Sequence, residues 1–355
     1  MASNPYSDLP AEQFWRKAVA NVAPFAVDPR PHGAFTIART DRVATAGSCF
    51  AQRVAQALRS AGFNFHVTEA APGGLSPAEA EARQFGTYTA RYGNLYLTRQ
   101  FTQLFDRAFG RFEPELTVWE RPDGRYVDPF RPTIEPGGFD SPAAVSASRE
   151  AHLAEVRRMF ETLDVFVVTL GLTEGFRYRA DGAALPLAPG VAGGSFDPDL
   201  YEFVNVGAAE VTADLRGLLD RLWSVNPAAR VILTVSPVPL IATYLPQHVM
   251  ISNTYSKAVL RAAAGEVCAA GDPRLVYFPS FDLITSNVNA GRYYAEDQRS
   301  VTDAGVRHVM RCFLATFAPD SARPALASPA GASAAEFEGT AGVICDEEQI
   351  ERSVA

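Results

Sequence analysis

The feature that most constrains this chain is a recurring unit: an amphipathic helical stretch that leads into a short, continuous apolar run closed by a turn residue. Leu153, Val156, Phe160 and Leu163 recur at helical spacing and lead into Val165-Phe166-Val167-Val168-Thr169-Leu170, which stops at Gly171. The pattern returns in Val211 to Trp223, which passes Asn226-Pro227 into Val231-Ile232-Leu233-Thr234-Val235 and ends at Ser236-Pro237. It returns again in Thr254 to Val267, followed by Leu275-Val276-Tyr277-Phe278 and Pro279. Apolar runs without alternation suit strands buried on both faces, as in a parallel sheet. Earlier in the chain, Arg42 to Ala46 reads as a strand, Gly47 as a turn, and Phe50, Val54, Leu58 and Ala61 as the buried stripe of a helix closed by Gly62. Phe63 to Val67 then alternates like a further strand, Thr98 to Phe109 reads as a helix, and Thr302 to Phe317 as the last one. The fold class predicted is α/β, a doubly wound, mostly parallel central sheet of about five strands flanked by helices.

Around this core, residues 1–40 read as an N-terminal arm broken by Pro24, Pro29, Pro31 and Gly33. Residues 41–318 form the α/β domain, in which Trp119 to Phe139 reads as a long ordered loop or insertion. Residues 319–355 turn to Ala, Ser, Pro and Gly, predicting a flexible tail whose acidic end, Asp346-Glu347-Glu348, offers a docking surface for a protein partner. A net charge of −8 argues against a nucleic-acid partner, which needs clustered Lys and Arg. No apolar run is long enough for a transmembrane helix, and Met1 to Pro5 lacks the pattern of a signal peptide. The four cysteines, Cys49, Cys268, Cys312 and Cys345, show no paired spacing, which suits reduced thiols in the cytoplasm. The five histidines are dispersed, so neither a metal site nor a cofactor is expected.

In open α/β sheets ligands bind beyond the carboxyl ends of the strands. Polar residues fall there at Ser48, at Thr169 to Glu174, at Ser236 and around Asp297. Ser48, at a strand-to-helix turn, would meet free backbone N–H groups and the positive end of the helix dipole, which favour developing negative charge. The plain alternative makes it a helix N-cap. Cys49 is a rival nucleophile, since a helix N-terminus lowers a thiol's pKa, although cysteine is more often simply buried. Lys257 and Arg261, one turn apart, form a cationic face that ordinarily reads as a solvated helix surface and in a site could bind an anionic or phosphate-bearing substrate.

Gly47-Ser48-Cys49-Phe50-Ala51 resembles the signature of the GSCFA-domain family, which is itself similar to the SGNH (GDSL-like) hydrolases. The resemblance continues through Tyr92-Gly93-Asn94-Leu95-Tyr96, Val168 to Glu174, Thr234 to Val238 and Tyr255-Ser256-Lys257, covering roughly residues 40 to 317. It implies a nucleophile at Ser48 and oxyanion or substrate contacts from the Ser48 N–H, Gly93, Asn94, Gly171 and Thr173 or Thr169. The related enzymes carry Asp-x-x-His before the last helix, with the histidine as general base. Here the segment is Asp297-Gln298-Arg299-Ser300, so Asp297 is present and Ser300 stands where the histidine would be. His248, in the loop after the Ser236-Pro237-Val238 strand end, is the replacement base expected from position, ahead of His66 and His308, with Asp297 orienting it. Arg299 is expected to pair with Asp297 or Glu296, or to contact substrate. The activity implied is that of a serine-dependent ester hydrolase or O-acyltransferase acting on acylated carbohydrate or small oxygen esters. The alternative is a non-catalytic binding or scaffold protein that keeps the fold without the base.

Overall fold

The computed structural model describes residues 4–319, 343 and 345–354. Its elements run β1 (Val43–Gly47), α1 (Phe50–Ser60), α2 (Pro77–Ala82), α3 (Thr98–Ala108), β2 (Trp119–Glu120), β3 (Tyr126–Val127), α4 (Pro142–Thr162) and β4 (Val165–Leu170). They continue with β5 (Glu174–Tyr178), β6 (Ala184–Leu185), β7 (Tyr201–Asn205), α5 (Ala208–Val225), β8 (Arg230–Val235), α6 (Val249–Cys268), β9 (Leu275–Tyr277), α7 (Ser280–Thr285) and α8 (Asp303–Phe317), and a C-terminal α9 (Glu348–Val354). Short 3-10 and π turns punctuate the arm before β1.

The central sheet is parallel in the order β1-β4-β8-β9, as the helix-then-apolar-run unit predicts. The strand expected over Phe63 to Val67 is reduced to a single parallel bridge of Phe65 to Val43 on the free side of β1, so the sheet has four strands among the described residues rather than about five. Neighbouring strands pass their side chains alternately to opposite faces. Ala44, Ala46, Phe166, Val168, Leu170, Leu233 and Val235 pack under α3, α4, α5 and α6. Val43, Val165, Val167 and Ile232 pack against α1, α7 and α8. Both faces are therefore covered, and each fully buried aliphatic side chain contributes roughly 2 kcal/mol of hydrophobic stabilisation. Because the Phe65 segment lies on one side of β1 and every later strand on the other, strand order reverses between β1 and β4. That switch point opens a crevice at the strands' carboxyl ends.

Two further features depart from the sequence reading. Between β4 and α5 lies an antiparallel sheet of order β6-β5-β7, and a small β2-β3 hairpin sits inside the expected loop of Trp119 to Phe139. The tail is the second: the flexibility expected of its residues 320–342 and 344 lies outside the described residues, but Cys345 to Glu347 enter the strand-end crevice and α9 follows them. The arm before β1 runs along α8, where Ile37 donates to the Phe317 carbonyl at 2.6 Å and Val27 accepts from His308. Among the described residues no helix is long and apolar enough to cross a membrane.

Candidate active site

The crevice is built on Gly47. Its φ of 140° is a backbone state that residues with a side chain rarely adopt. A β-carbon there would lie 2.1 Å from the Thr169 carbonyl oxygen, so only glycine lets β1 approach β4 this closely. Ser48 follows, 3% exposed, and its Oγ has no hydrogen-bond partner among the described residues. It is not the helix cap: Cys49 holds that position and makes no side-chain capping bond. The expected role of the Ser48 N–H as an oxyanion donor is also corrected, since it donates to the Thr169 carbonyl at 3.2 Å. The N–H groups of Cys49 and Phe50, at the open end of α1, carry no hydrogen bond among the described residues.

The segment Tyr92 to Tyr96 is laced across the ends of β1 and β4. Leu95 N–H donates to the Gly47 carbonyl at 2.8 Å, and the Tyr96 carbonyl accepts from Leu172 N–H at 3.0 Å. Gly93, with φ 72°, supplies the turn, and Asn94 is fully buried beside it. The Asn94 Oδ1 accepts from Tyr88 Oη at 3.0 Å and from Gln52 Nε2 at 3.2 Å, which fixes the amide with Nδ2 turned toward the tail. Gly171 packs against Tyr96, whose hydroxyl is buried without a partner among the described residues, as is the Thr169 Oγ1. Thr173 is engaged elsewhere, donating from Oγ1 to Asn205 Oδ1 at 2.7 Å and from N–H to Ser256 Oγ at 3.0 Å. It is therefore not a free oxyanion donor; of the two threonines, Thr169 keeps an unengaged hydroxyl.

The histidine expectation fails on geometry. His248 is an exposed N-cap of α6, its Nδ1 accepting from Met250 N–H at 3.1 Å, and no hydrogen bond joins it to Asp297 or Ser48. Asp297, also exposed, accepts from the backbone N–H groups of Arg299 and Ser300 at 2.9 Å each and from the Ser300 hydroxyl. The Ser300 hydroxyl bond holds the Asp297 carboxyl below its usual range, and the loop is a self-contained turn. His66 pairs with Thr162 and lies beside Val43, at the amino end of β1, a strand length of roughly 15 Å from Ser48. His308 is held by Tyr293 and the Val27 carbonyl. His152 is buried against Glu69 at 2.6 Å, and His32 is an exposed side chain 3.8 Å from Glu12.

The crevice also holds Lys257, for which helical spacing predicts a solvated face; no hydrogen bond joins it to Ser48 among the described residues. It is 2% exposed, with Nζ donating to the Gly171 carbonyl at 2.8 Å, while Arg261 turns away to Asp282 at 3.0 Å. Burial brings the Lys257 ammonium down to about 8, against the attraction of Glu347 and the Cys49 thiol in the same crevice. The available signal was its place in the Tyr255-Ser256-Lys257 block; helical spacing to Arg261 pointed the other way.

The tail completes the arrangement. Asp346 accepts from Asn94 Nδ2 at 2.9 Å and from Thr133 Oγ1 at 2.8 Å. Glu347 accepts from Arg299 Nη2 at 2.9 Å, in place of the Asp297 or Glu296 pairing expected for that arginine. Arg299 Nη2 also lies 3.4 Å from Cys345 Sγ, and that sulfur stands 3.6 Å from Cys49 Sγ. Burial pushes both the Asp346 and Glu347 carboxyls upward. A cleft of about 1050 Å³ lies beside Gln52 and Thr133, which touch this cluster, and neither Ser48 nor Lys257 lines it.

A three-layer α/β protein with a polar, serine-bearing crevice at the switch point of its sheet is the class these features define. The model of the GSCFA family matches residues 42–313, and the chain belongs to that family. No curated protein matches it. Among solved structures, a Clostridium thermocellum family 3 carbohydrate esterase aligns at 12% identity over 81% of this chain and 100% of its own, with a TM-score of 0.26. A superposition that loose fixes neither fold nor activity.

Proposed function

We propose that this protein is a serine acyl-transfer enzyme, an ester hydrolase or O-acyltransferase, in which Ser48 is the nucleophile and Lys257 replaces histidine as its base. The observation that carries this reading is the Ser48 hydroxyl itself, buried and unpartnered in a crevice that also holds a lysine brought down to about 8. A buried polar group normally finds a partner, and the exceptions gather where function requires them. In the reaction, Ser48 Oγ attacks an acyl carbonyl as its proton passes to neutral Lys257 Nζ. The oxyanion is received by the Cys49 and Phe50 N–H groups and by Asn94 Nδ2 once Asp346 withdraws. Collapse expels the alcohol, which takes the proton back from Lys257, and water or a sugar hydroxyl then releases the acyl group.

The test combines turnover of 4-nitrophenyl acetate with labelling by a fluorophosphonate probe. Ser48→Ala is expected to abolish both. Lys257→Met is expected to lower kcat by about two to four orders of magnitude, the usual share of a general base. A binding or scaffold role is the second reading, favoured by the engagement of every histidine away from Ser48. A wild-type chain that neither turns over the ester nor takes the label would leave that reading in place of the first.

A further inference from the structure

We propose that the crevice holds a subsite for a carboxylate group of the substrate, formed by Arg299 and filled in this structure by the protein's own Glu347. This rests on the acyl-transfer reading only in calling the ligand a substrate. Glu347 is buried, 2.9 Å from Arg299 Nη2, and its charge acts on Lys257. Without it, the largely covered Arg299 guanidinium would lose its carboxylate partner, and breaking such a pair is costly unless another anion takes the place. The tail also leaves the Ser48 and Tyr96 hydroxyls buried and unpartnered. A segment fitted permanently would be expected to satisfy them, so Asp346 and Glu347 stand as occupants that a better-matched ligand displaces. The test uses the full chain carrying Asp346→Ala and Glu347→Ala, titrated calorimetrically with glutarate and with its neutral analogue glutaramide. Saturable glutarate binding is expected, with none for glutaramide, and adding Arg299→Gln should weaken it about 10- to 100-fold, the range of one charge-assisted hydrogen bond. Equal binding of both compounds, no binding of either, or indifference to Arg299→Gln would overturn the subsite. If the double variant does not fold, Glu347→Ala alone is read by the same outcomes. Glutarate binding in a chain without esterase turnover would keep the subsite and remove the acyl-transfer reading.

The sulfur pair carries a second inference independently: the geometry points to Cys49 and Cys345 as a disulfide-forming site that pins the acidic segment over Ser48. Their sulfurs are 3.6 Å apart, so a small shift brings them to bonding distance. A cavity of about 190 Å³, lined in part by Cys49, Arg53, Arg299, Ser300 and Cys345, lies against the pair. The oxidant required is a low-molecular-weight disulfide such as glutathione disulfide. Cys345 thiolate attacks one of its sulfurs and releases one glutathione thiolate. Cys49, losing its proton, then attacks the Cys345 sulfur and releases the second, so the protein gives up two electrons and two protons as two glutathione thiols form. The hydrogen bond with Cys49 holds the Cys345 thiol below its ordinary range, with Arg299 assisting, which suits Cys345 to attack first. Peptide mapping without reduction, after treatment with glutathione disulfide, should recover a Cys49–Cys345 cross-link while Cys268 and Cys312 stay unlinked. Fluorophosphonate labelling of Ser48 should slow at least about tenfold and recover with dithiothreitol, and Cys345→Ser should make it indifferent to the oxidant. Recovery of only glutathione adducts or intermolecular links would refute the site, whether or not Ser48 is catalytic.

Discussion

At the scale of single residues, Gly47 and Lys257 carry the most weight. Gly47→Ala would force a β-carbon onto the Thr169 carbonyl at 2.1 Å in a strained backbone state. A loss of about 3 kcal/mol or more in unfolding free energy is expected, measured by urea titration. The role proposed for Lys257 predicts a pH dependence. If its neutral amine is the base, kcat/KM climbs with pH as the ammonium deprotonates and levels off above about 8. A profile flat between pH 6 and 9, or one shaped by a group near the ordinary histidine range, would remove Lys257 from the mechanism. The placement of Ser48 at a strand-to-helix turn was legible in the sequence because the glycine before it and the helix behind it are local signals. Lys257 was not, because its burial depends on β4 and the tail, neither of which its own helix reveals.

At the scale of elements, the helix-then-apolar-run units became β4, β8 and β9 with their helices, since buried parallel strands write their environment directly into the chain. The antiparallel β5, β6 and β7 escaped because their exposed faces mix Arg, Glu and aromatic residues, and β6 is only two residues long. Helix α6 begins at Val249, a turn before the apolar periodicity does, because the His248 ring accepts the Met250 N–H and caps it. That cap replaces the catalytic role first expected of His248. His248→Ala should therefore cost about 1 kcal/mol of stability and leave turnover within twofold of wild type. A drop in turnover at unchanged substrate affinity would return His248 to the chemistry.

At the scale of the whole molecule, the charge network under α4 governs acid tolerance. His152 is buried and pushed down to about 4 chiefly by desolvation, with the Arg131 charge adding to it. Burial alone would raise Glu69, but the hydrogen bond from His152 and the Arg131 charge bring it down to about 2. For the histidine, the unfolded chain binds more protons between its free pKa of 6.5 and 4, so stability falls across that window. For Glu69, stability is complete above 4.5 and drains as pH falls toward 2. Melting temperature is thus expected to decline steadily from pH 6.5 downward, and the decline between pH 6.5 and 4 should shrink in His152→Gln. The net charge of the sequence shows none of this, since it follows from residues far apart in the chain meeting beneath one helix.

The contact of Asp346 and Glu347 with the crevice has a consequence for how the protein behaves on dilution. A ligand tethered to its own receptor competes at a fixed effective concentration, whatever the number of molecules in the tube. The fraction of chains with an open crevice should therefore be the same at nanomolar and micromolar protein, and an incoming substrate should meet a constant handicap in apparent affinity. Were the acidic segment supplied by a second copy, dilution would empty the crevice and specific activity would rise as the protein was thinned.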